Sequence, residues 1–551
     1  MLRIRSRYVG MLGMGLLAGA VATLAMVLLM VVGRYWLGIS PPPEALPDRF
    51  APTISIKQFF DLFDRFGGYN GLKKFGIKSG LTGLGIAGAV VGVAYAAVVE
   101  SRPSRRSTPW RGGFSRLGVG FVVVAAVVLW IGSVIVYWPV LATNFKGLPP
   151  SRARFATAGG LLIAYAVYGV VLILVYRFLA RRAVPTADAE IVAESPATDF
   201  EPVSPGAPIG RRAVVAAGAG AVLALPSYAL MKRLYDQAAF AYDGHPYSGP
   251  GVQPIAPNDK FYTVTKNVVD PDVSKGVWRL EIGGLVRDPR RYDFGDLTAL
   301  PAVEQETTLM CISNKTGAGL FSNARWKGVP MRDLLDASGV KDGAVEVLLH
   351  AADGYTDTFA IEKAMDPTTL VVYQMNGAPL PLRHGYPVRV VVPGLFGEKN
   401  VKWVTGIDVI DHDGQGFYEQ QGWGPNFEIP TRSDIFSPAW TRGGKGDNFN
   451  QPIGVNRVTS IRGRAFAGAR GVSKVEFSAD AGESWHPVRI DYAGTRLTWT
   501  FWSFDWAPTK PGDYTLLSRA TDGNGEPQIA QTRGIVPQGA TGYHRVKAKV
   551  V

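Results

Sequence analysis

The stretch TTLMCISNKTGAGLFSNARWKGVP, residues 307–330, places a cysteine after an apolar, strand-like run and before a glycine-rich loop. Cys311 is the only cysteine among 551 residues, so it cannot form a disulfide within the chain. A lone cysteine can be a small buried side chain, a reactive thiol or a metal ligand. A soft thiolate suits a redox-active transition metal, and a strand end would leave the sulfur free to face a cleft.

Before residue 232 the chain contains five long apolar runs with almost no charge inside them. Each run has about the 17–25 residues that a helix needs to cross a bilayer. The runs are Tyr8–Val32, Leu81–Val99, Leu117–Ala142, Phe155–Tyr176 and Ala213–Leu230. The first run is too long, and lacks the small-residue cleavage site, for an ordinary removable signal peptide. The pattern predicts five transmembrane helices in contact with membrane lipid.

Lys and Arg in the flanking segments predict the orientation, because basic residues favour the cytoplasmic side. Arginines precede the first run, and SRPSRRSTPWRGGFSR (101–116) separates the second run from the third. The loop 34–78 argues the other way with seven basic residues, although four acids accompany them. We expect a cytoplasmic N-terminus and an extracytoplasmic segment from residue 232 onward. These flanks explain the net charge of +13, so we expect no nucleic-acid partner.

Composition also predicts the division of the chain. Residues 184–209 are acidic, rich in Ala and Pro and without hydrophobic periodicity, which is typical of a flexible linker. The arginines of GRRAVVAAGAGAVLAL (210–225) fit either a twin-arginine export signal or the basic flank of a membrane helix. We predict a four-span anchor at 1–183, a cytoplasmic linker at 184–211, a fifth span at 212–231, a linker at 232–251, an α+β domain at 252–430 and a β-sandwich at 431–551.

The segment after residue 252 predicts an α+β fold. Short β-type runs alternate with brief helical pieces, such as a helix that starts near Pro330 and stops at Gly339. From residue 431 onward, five to seven short strands in about 110 residues indicate a sandwich of immunoglobulin type.

All six histidines lie beyond the last apolar run. The membrane helices therefore cannot supply a bis-histidine haem site, and one cysteine cannot form a CxxCH attachment motif. We expect no haem in this chain.

Several motifs together resemble the sulfite oxidase family of molybdopterin enzymes. They are the stretch around Cys311, HGYPVRVVVPGLFGEKNVKWV (384–404), PNDKFYTVTKN (257–267) and WRLEIGGLV (278–286), in the same order as in that family. The resemblance covers residues 250–551 and leaves the apolar region outside. It implies a molybdopterin-binding α+β domain, followed by a dimerisation-type sandwich.

The resemblance also implies residue roles. Cys311 would bind molybdenum as a thiolate, beside the two sulfurs of a pterin dithiolene, as the only protein ligand of the metal. Tyr355, in ADGYTDT, resembles the active-site tyrosine of the family. The positions that match the family's pterin contacts are Phe261, Tyr262, Asn314, His384, Arg389, Gly397, Lys399 and Lys402.

The residue types agree with these roles. Arginine and lysine bind the phosphate of the pterin, and glycines let backbone N–H groups come close to it. Other interpretations stay open at single positions, because Asn314 could shape a loop and Phe261 and Tyr262 could simply pack. The arginines that surround the substrate anion in sulfite oxidases are absent, since Lys266, Lys315 and Thr316 occupy the corresponding neighbourhoods.

These observations lead to two hypotheses. The first is a membrane-anchored, extracytoplasmic molybdenum oxidoreductase that transfers an oxygen atom to or from a small S- or N-containing substrate. Such an enzyme would need an external electron partner, such as a cytochrome or a quinone-linked protein, and could form a homodimer. The second is a non-catalytic binding or scaffold module that keeps the fold.

Overall fold

The computed structural model describes residues 2–100, 116–180, 209–443 and 446–551, and these residues form two units that do not follow the chain order. The helical unit comprises Met1–Arg49, Lys73–Leu141 and Arg154–Gln237, and the C-terminal unit comprises Phe50–Leu72, Ala142–Ala153 and Ala238–Val551. Two short segments that the sequence analysis placed in the anchor, 50–72 and 142–153, therefore group with the C-terminal unit. Residues 184–208 of the linker predicted at 184–211, and most of the basic segment 101–116, lie outside the described residues.

Five long helices form at the five predicted apolar runs, and each is long and apolar enough to cross a membrane. They are α1 (Leu2–Val32), α4 (Tyr69–Glu100), α5 (Arg116–Tyr137), α6 (Pro150–Ala180) and α7 (Ile209–Asp236). Two shorter helices, α2 (Pro42–Phe50) and α3 (Ile56–Arg65), lie between α1 and α4. The five helices confirm the sequence pattern, and their insertion in a membrane stays a prediction.

Small residues bring α1 and α4 into close contact. A Cβ atom added to Gly15 would lie 2.6 Å from the carbonyl oxygen of Gly92, and one added to Gly19 would lie 2.5 Å from that of Gly88. Glycines at four-residue spacing are typical of helices that associate within a bilayer, because they let two backbones approach.

The helix α3 begins at a capping box, in which the Ser55 hydroxyl accepts from the backbone N–H of Gln58 and the Gln58 side chain accepts from that of Ser55. It belongs to the C-terminal unit, where Ile56 and Phe60 pack against the hydrophobic core. No residue of α3 is fully buried.

The α+β part of the C-terminal unit contains one mixed and one antiparallel sheet. The first has the strand order β2-β1-β10-β5-β6, and in the second β3-β4-β7-β8 lie in that order while β9 also pairs with β7. The strands are β1 (Leu280–Gly284), β2 (Arg290–Tyr292), β3 (Val303–Met310), β4 (Phe321–Pro330), β5 (Glu346–Ala351), β6 (Thr356–Ala360), β7 (Leu370–Met375), β8 (Ala378–Pro379), β9 (Arg389–Val391) and β10 (Val404–Ile410). The helices are α8 (Phe294–Ala299), α9 (Met331–Ser338) and α10 (Ile361–Ala364).

The local signals in this part are confirmed. The helix α9 follows Pro330 and ends at Gly339, which adopts a φ of 66° that favours glycine. The strand β3 ends at Met310, so Cys311 is the first residue beyond a strand whose last four residues are buried. All of β3 pairs with the next strand, β4, and this pairing fixes the two ends of the loop 311–320.

From residue 432 onward the chain forms a two-sheet sandwich around a core that includes Trp502, Phe477 and Ile461. The strands are β11 (Arg432–Ser437), β12 (Trp440–Gly443), β13 (Gly446–Phe449), β14 (Thr459–Phe466), β15 (Val472–Ser478), β16 (His486–Pro487), β17 (Arg489–Tyr492), β18 (Thr500–Trp506), β19 (Gly512–Asp522) and β20 (His544–Val550). The predicted sandwich is confirmed, but the predicted strand number was too low. The strands β12, β13 and β16 have only two to four residues each, too few to show alternation.

Candidate active site

The loop that carries Cys311 is held at both ends and in the middle. The Cys311 N–H donates to the carbonyl of Leu320 at 3.0 Å, and the Leu320 N–H donates to the side-chain oxygen of Asn314 at 3.0 Å. Gly317, with a φ of 74°, donates its N–H to Asp434 of the sandwich at 2.9 Å, and a Cβ atom there would overlap the His544 ring. The loop is therefore a fixed platform between β3 and the sandwich.

The Cys311 side chain is 9% exposed and lines a cavity of about 800 Å³. Its sulfur lies 3.1 Å from the Ser313 hydroxyl. Burial raises the pKa of the thiol to about 12, so the sulfur is a thiolate at neutral pH only when a cation binds beside it. All residues that line the cavity belong to the C-terminal unit.

Several nitrogen-bearing side chains line the same cavity as Cys311, and we call three of them, His384, Arg389 and Lys402, the donor cluster. Arg389 donates to the backbone carbonyls of His384 at 3.2 Å and of Asn400 at 2.9 Å. Its guanidinium has no carboxylate partner within ion-pair distance among the described residues. Burial lowers its pKa to about 10, which shows the cost of holding this charge away from water.

The other two members differ in charge. Lys402 donates to the carbonyls of Val264 and Arg383, both at 3.3 Å, and burial lowers its pKa. His384 contacts the carbonyl of Asn258 through Nε2 at 2.8 Å, and burial lowers its pKa to about 3. The sequence analysis placed His384 among the pterin contacts, and with this lowered pKa its imidazole is neutral and serves as a hydrogen-bonding group.

Lys399 lies beside the cavity but does not line it. Its ammonium contacts Asp357 at 2.7 Å and Glu419 at 3.0 Å, with 3% of the side chain exposed. Asp357 in turn accepts a hydrogen bond of 2.6 Å from the Tyr355 hydroxyl. Lys399 therefore fixes the carboxylate that orients Tyr355, and the contact with a cofactor predicted from its position stays a prediction.

The remaining predicted residues divide into two groups. Phe261, Tyr262, Tyr355 and Gly397 line the cavity with Cys311, and a Cβ atom added to Gly397 would lie 2.6 Å from the Tyr262 hydroxyl and 3.6 Å from Cys311 Cα. Asn314 does not line the cavity, because its side-chain oxygen closes the cysteine loop.

Glu398 is a residue that the sequence analysis missed, although it lies between two predicted positions. Its two carboxyl oxygens are buried without a hydrogen-bond partner in the described structure, as is the side-chain nitrogen of Asn314. Burial raises the pKa of Glu398 to about 8. Unpartnered buried polar atoms beside Cys311 indicate a site that is completed by another molecule.

A group of aromatic rings was also missed. We call Phe59, Phe60, Phe63, Tyr418 and Trp423 the aromatic wall, because all five line the cavity. The three phenylalanines come from α3, in the loop 34–78, which the sequence analysis considered only for its charge. The capping box and the spacing of these phenylalanines could have revealed an amphipathic helix.

Comparisons with known families agree with this geometry. Residues 267–418 match the oxidoreductase molybdopterin binding domain, and residues 430–551 match the Mo-co oxidoreductase dimerisation domain. The uncharacterized oxidoreductase YuiH of Bacillus subtilis is 36% identical over 146 residues, which cover 26% of this chain and 72% of that protein. The mitochondrial sulfite oxidase of Drosophila melanogaster is 28% identical over 350 residues. This chain belongs to the sulfite oxidase family of molybdopterin oxidoreductases.

The match spans only part of the larger family members. It covers 54% of this chain and 59% of the Drosophila sulfite oxidase, and 43% of this chain and 32% of the NADH nitrate reductase of Solanum lycopersicum, at 28% identity. The crystal structure of the sulfane dehydrogenase SoxCD from Paracoccus pantotrophus is similar over 51% of this chain and 76% of that chain, with 25% identity and a TM-score of 0.44.

The cavity suits the family's cofactor, molybdenum bound to molybdopterin. A soft sulfur ligand, Cys311, faces the same space as the buried Arg389, whose charge has no carboxylate partner there. A thiolate suits molybdenum, and a buried guanidinium suits the anionic tail of a pterin. The unpartnered oxygens of Glu398 lie in the same place. The residues present therefore fit the group.

Proposed function

We propose that this chain is a membrane-anchored molybdenum oxidoreductase that transfers an oxygen atom to or from a small S- or N-containing substrate. The observation that carries the proposal is that the Cys311 sulfur and the donor cluster line one cavity. A buried guanidinium without a carboxylate partner is costly in a cavity that has no anionic ligand. When bound, the molybdenum cofactor supplies the two-electron chemistry.

The chain's own residues bind and orient. The Cys311 sulfur ligates the metal, and Arg389 and Lys402 hold the anionic tail of the pterin, with neutral His384 as a hydrogen-bonding group. Gly397 has no side chain, so the backbone approaches both Cys311 and Tyr262. Phe261 stacks on Tyr262 with 5.5 Å between ring centroids, which gives one side of the cofactor space a rigid aromatic surface.

Tyr355 is the proposed substrate-contacting residue. Its hydroxyl donates to Asp357 at 2.6 Å and approaches the carbonyl oxygen of Glu398 at 3.3 Å. Burial, followed by the charge of Asp357, raises its pKa well above the usual value, so the hydroxyl keeps its proton. The Lys399–Asp357 pair thus holds a neutral phenol at a fixed position in the cavity that Cys311 also lines.

We also propose the cellular setting. Five apolar helices anchor the chain, and the distribution of basic residues favours an extracytoplasmic C-terminal unit. The family name of residues 430–551 favours a homodimer through the sandwich. The membrane helices carry no histidine, so electrons would pass to or from a separate protein.

Metal analysis of the purified full-length chain tests the proposal. We expect about one molybdenum per chain in the wild type and its loss in Cys311→Ala. The free energy of unfolding of the variant should differ from that of the wild type by no more than roughly 1–3 kcal/mol, because only one small side chain changes. Ser484→Ala, in an exposed turn of the sandwich, is the control and should keep its metal. A folded wild-type chain that contains neither molybdenum nor pterin would contradict the proposal and support the scaffold role.

A topology experiment tests the setting. Alkaline phosphatase fused after residue 551 should be active, because it folds outside the cytoplasm. Green fluorescent protein fused at the same position should not fluoresce, because it folds inside the cytoplasm. The reverse pattern would contradict the proposed orientation. An optical spectrum with a stoichiometric haem band would contradict the proposal of a separate electron carrier.

A further inference from the structure

Four members of the aromatic wall are joined by ring contacts, and the fifth, Tyr418, is joined to Trp423 through the backbone. In α3 the Phe60 ring lies 5.6 Å from Phe59 and 5.8 Å from Phe63, and it meets Trp423 edge-on at 6.1 Å. The N–H of Trp423 donates to the carbonyl of Tyr418 at 3.2 Å, which fixes these two residues relative to each other.

From Tyr418 the wall continues to the proposed substrate contact. The Tyr418 ring lies 5.7 Å from the Tyr355 ring, whose hydroxyl is 3.3 Å from the carbonyl oxygen of Glu398. The preceding residue, Gly397, is the one that approaches Cys311. A substrate at the proposed metal position would therefore share one cavity with the rings of the aromatic wall.

The phenylalanines of α3 line the cavity, and Phe60 also packs against the hydrophobic core of the C-terminal unit. Phe59, Phe60 and Phe63 are half-buried, and α3 contains no fully buried residue. Apolar rings that line a cavity leave area that an apolar ligand can cover, at roughly 25 cal/mol per Å². The cavity of about 800 Å³ is near the upper end of the roughly 300–1,000 Å³ typical of small-molecule sites, which leaves space for an organic group beside a cofactor.

The charges of the cavity do not favour an inorganic oxyanion. Apart from the donor cluster, three cations line it, Lys266, Lys315 and Arg383, and three aspartates line it as well, Asp64, Asp243 and Asp353. Lys266 donates to the backbone carbonyl of Asp353 at 2.9 Å, and Arg383 donates to that of Asp259 at 2.7 Å. Lys399 is matched by two carboxylates. The lining residues thus offer no surplus positive charge for a dianion once the donor cluster holds the pterin.

We propose that Phe59, Phe60 and Phe63 of α3 select the substrate, which is a neutral sulfoxide with an aromatic or branched apolar group, in preference to an inorganic oxyanion. This inference rests on the proposed function for its redox chemistry. The S–O bond breaks, sulfur regains an electron pair, and oxygen leaves as water with two protons. The two electrons come from an external one-electron donor, for which two molecules of reduced benzyl viologen serve in the assay.

Steady-state kinetics with two sulfoxides test the selection. Phe60→Ala should raise the KM for methyl phenyl sulfoxide roughly 10- to 100-fold, with a smaller change for dimethyl sulfoxide, because only the larger substrate covers the ring. The kcat and molybdenum content should stay within about twofold, since the ring does not contact the reacting atoms. The control is Phe50→Ala, in the same inter-helix segment but 45% exposed and outside the cavity lining, which should leave both KM values unchanged.

Equal shifts for both sulfoxides, or an unchanged KM for the aromatic one, would overturn the inference. So would turnover of sulfite at a lower KM than either sulfoxide in the wild type. If Phe60→Ala does not fold, Phe60→Leu replaces it, because leucine keeps apolar bulk but removes the ring. In that variant the KM for methyl phenyl sulfoxide should again rise more than the KM for dimethyl sulfoxide, but by a smaller factor.

A binding measurement separates this inference from the proposed function. Methyl phenyl sulfone, which shares the shape but is not the substrate, should bind the detergent-solubilised full chain in calorimetry, with weaker binding in Phe60→Ala and no competition from sulfate. Binding to a chain without molybdenum would support the aromatic wall while contradicting the proposed enzyme. A molybdenum-loaded chain that binds sulfate in place of the sulfone would contradict the inference and leave the proposed enzyme standing.

Discussion

The donor cluster and the aromatic wall line one cavity, but they are built in opposite ways. The donor cluster comes from one stretch of 19 residues, 384–402, and its nitrogens are held by backbone carbonyls. The aromatic wall comes from two stretches, with Phe59, Phe60 and Phe63 far from Tyr418 and Trp423 in the chain. Phe59, Phe60, Phe63 and Trp423 contact one another through their rings, and Tyr418 contacts the ring of Tyr355.

This difference separates two tasks. Backbone carbonyls fix a cationic or neutral donor in one place, which suits a permanent ligand of constant shape. Aromatic rings offer area with little direction, which suits substrates that share an apolar body. We infer that the cofactor is bound by the contiguous motif and that substrate selection depends on a helix from the N-terminal half of the chain.

The largest expected effect concerns Lys399, which lies next to the donor cluster but is paired differently. Lys399→Met would leave the buried Asp357 and the partly buried Glu419 without their cation, and breaking a buried ion pair costs about 3–5 kcal/mol. Urea unfolding of the solubilised chain should show this loss. Lys474→Met removes an exposed lysine from Glu476, which keeps Arg519 as a partner, and should cost less than about 1 kcal/mol. An unchanged free energy of unfolding in Lys399→Met would contradict the structural role of Lys399 and would group it with the donor cluster.

The next effect concerns Arg389, whose guanidinium has no carboxylate partner among the described residues. Arg389→Ala should weaken cofactor retention by about 2 kcal/mol, or roughly 30-fold, because charge-assisted hydrogen bonds to the pterin are lost. Pterin fluorescence after oxidation and metal analysis measure the loss. The exposed Arg325→Ala should keep full content, and a full pterin content in Arg389→Ala would refute the donor cluster.

A smaller effect should follow from changing the character of the wall. Phe63→Arg would add a cation to the apolar lining, and an added exposed charge pair is worth about 1 kcal/mol, or roughly fivefold. We expect the KM for sulfite to fall and the KM for methyl phenyl sulfoxide to rise. Phe63→Leu is the matched control without the charge. If the two variants behave alike, charge does not decide between the substrates.

The smallest effect concerns Asp434, which joins the Cys311 loop to the sandwich through Gly317. Burial alone would raise its pKa, but Arg432 and His544 lower it below 3.8. A lowered pKa in the folded state adds stability that is present above pH 3.8 and is lost as the pH falls through the folded value. The fall in melting temperature between pH 6 and pH 3 should therefore be smaller in Asp434→Asn. An identical fall in both proteins would show that this carboxylate does not contribute.

The features that the sequence predicts are local ones, like the contiguous motif of the donor cluster, and those it does not predict depend on distant residues, like the aromatic wall. The apolar runs, α9, the strand before Cys311 and the sandwich are local patterns, and the structure confirms them. His384, Arg389, Gly397 and Cys311 lie in recognisable motifs, and the structure brings them together. The neutral state of His384 and the pairing of Lys399 depend on burial and on distant carboxylates, which spacing does not show. The contribution of α3 depends on tertiary packing between residues about 360 positions apart, such as Phe60 and Trp423.

The coordination of molybdenum by Cys311 is the central claim, and X-ray absorption at the molybdenum edge tests it most directly. We predict a shell of three sulfurs in the wild type, two from the pterin dithiolene and one from Cys311, and a shell of two sulfurs in Cys311→Ser. A two-sulfur shell in the wild type, unchanged in the variant, would contradict the account.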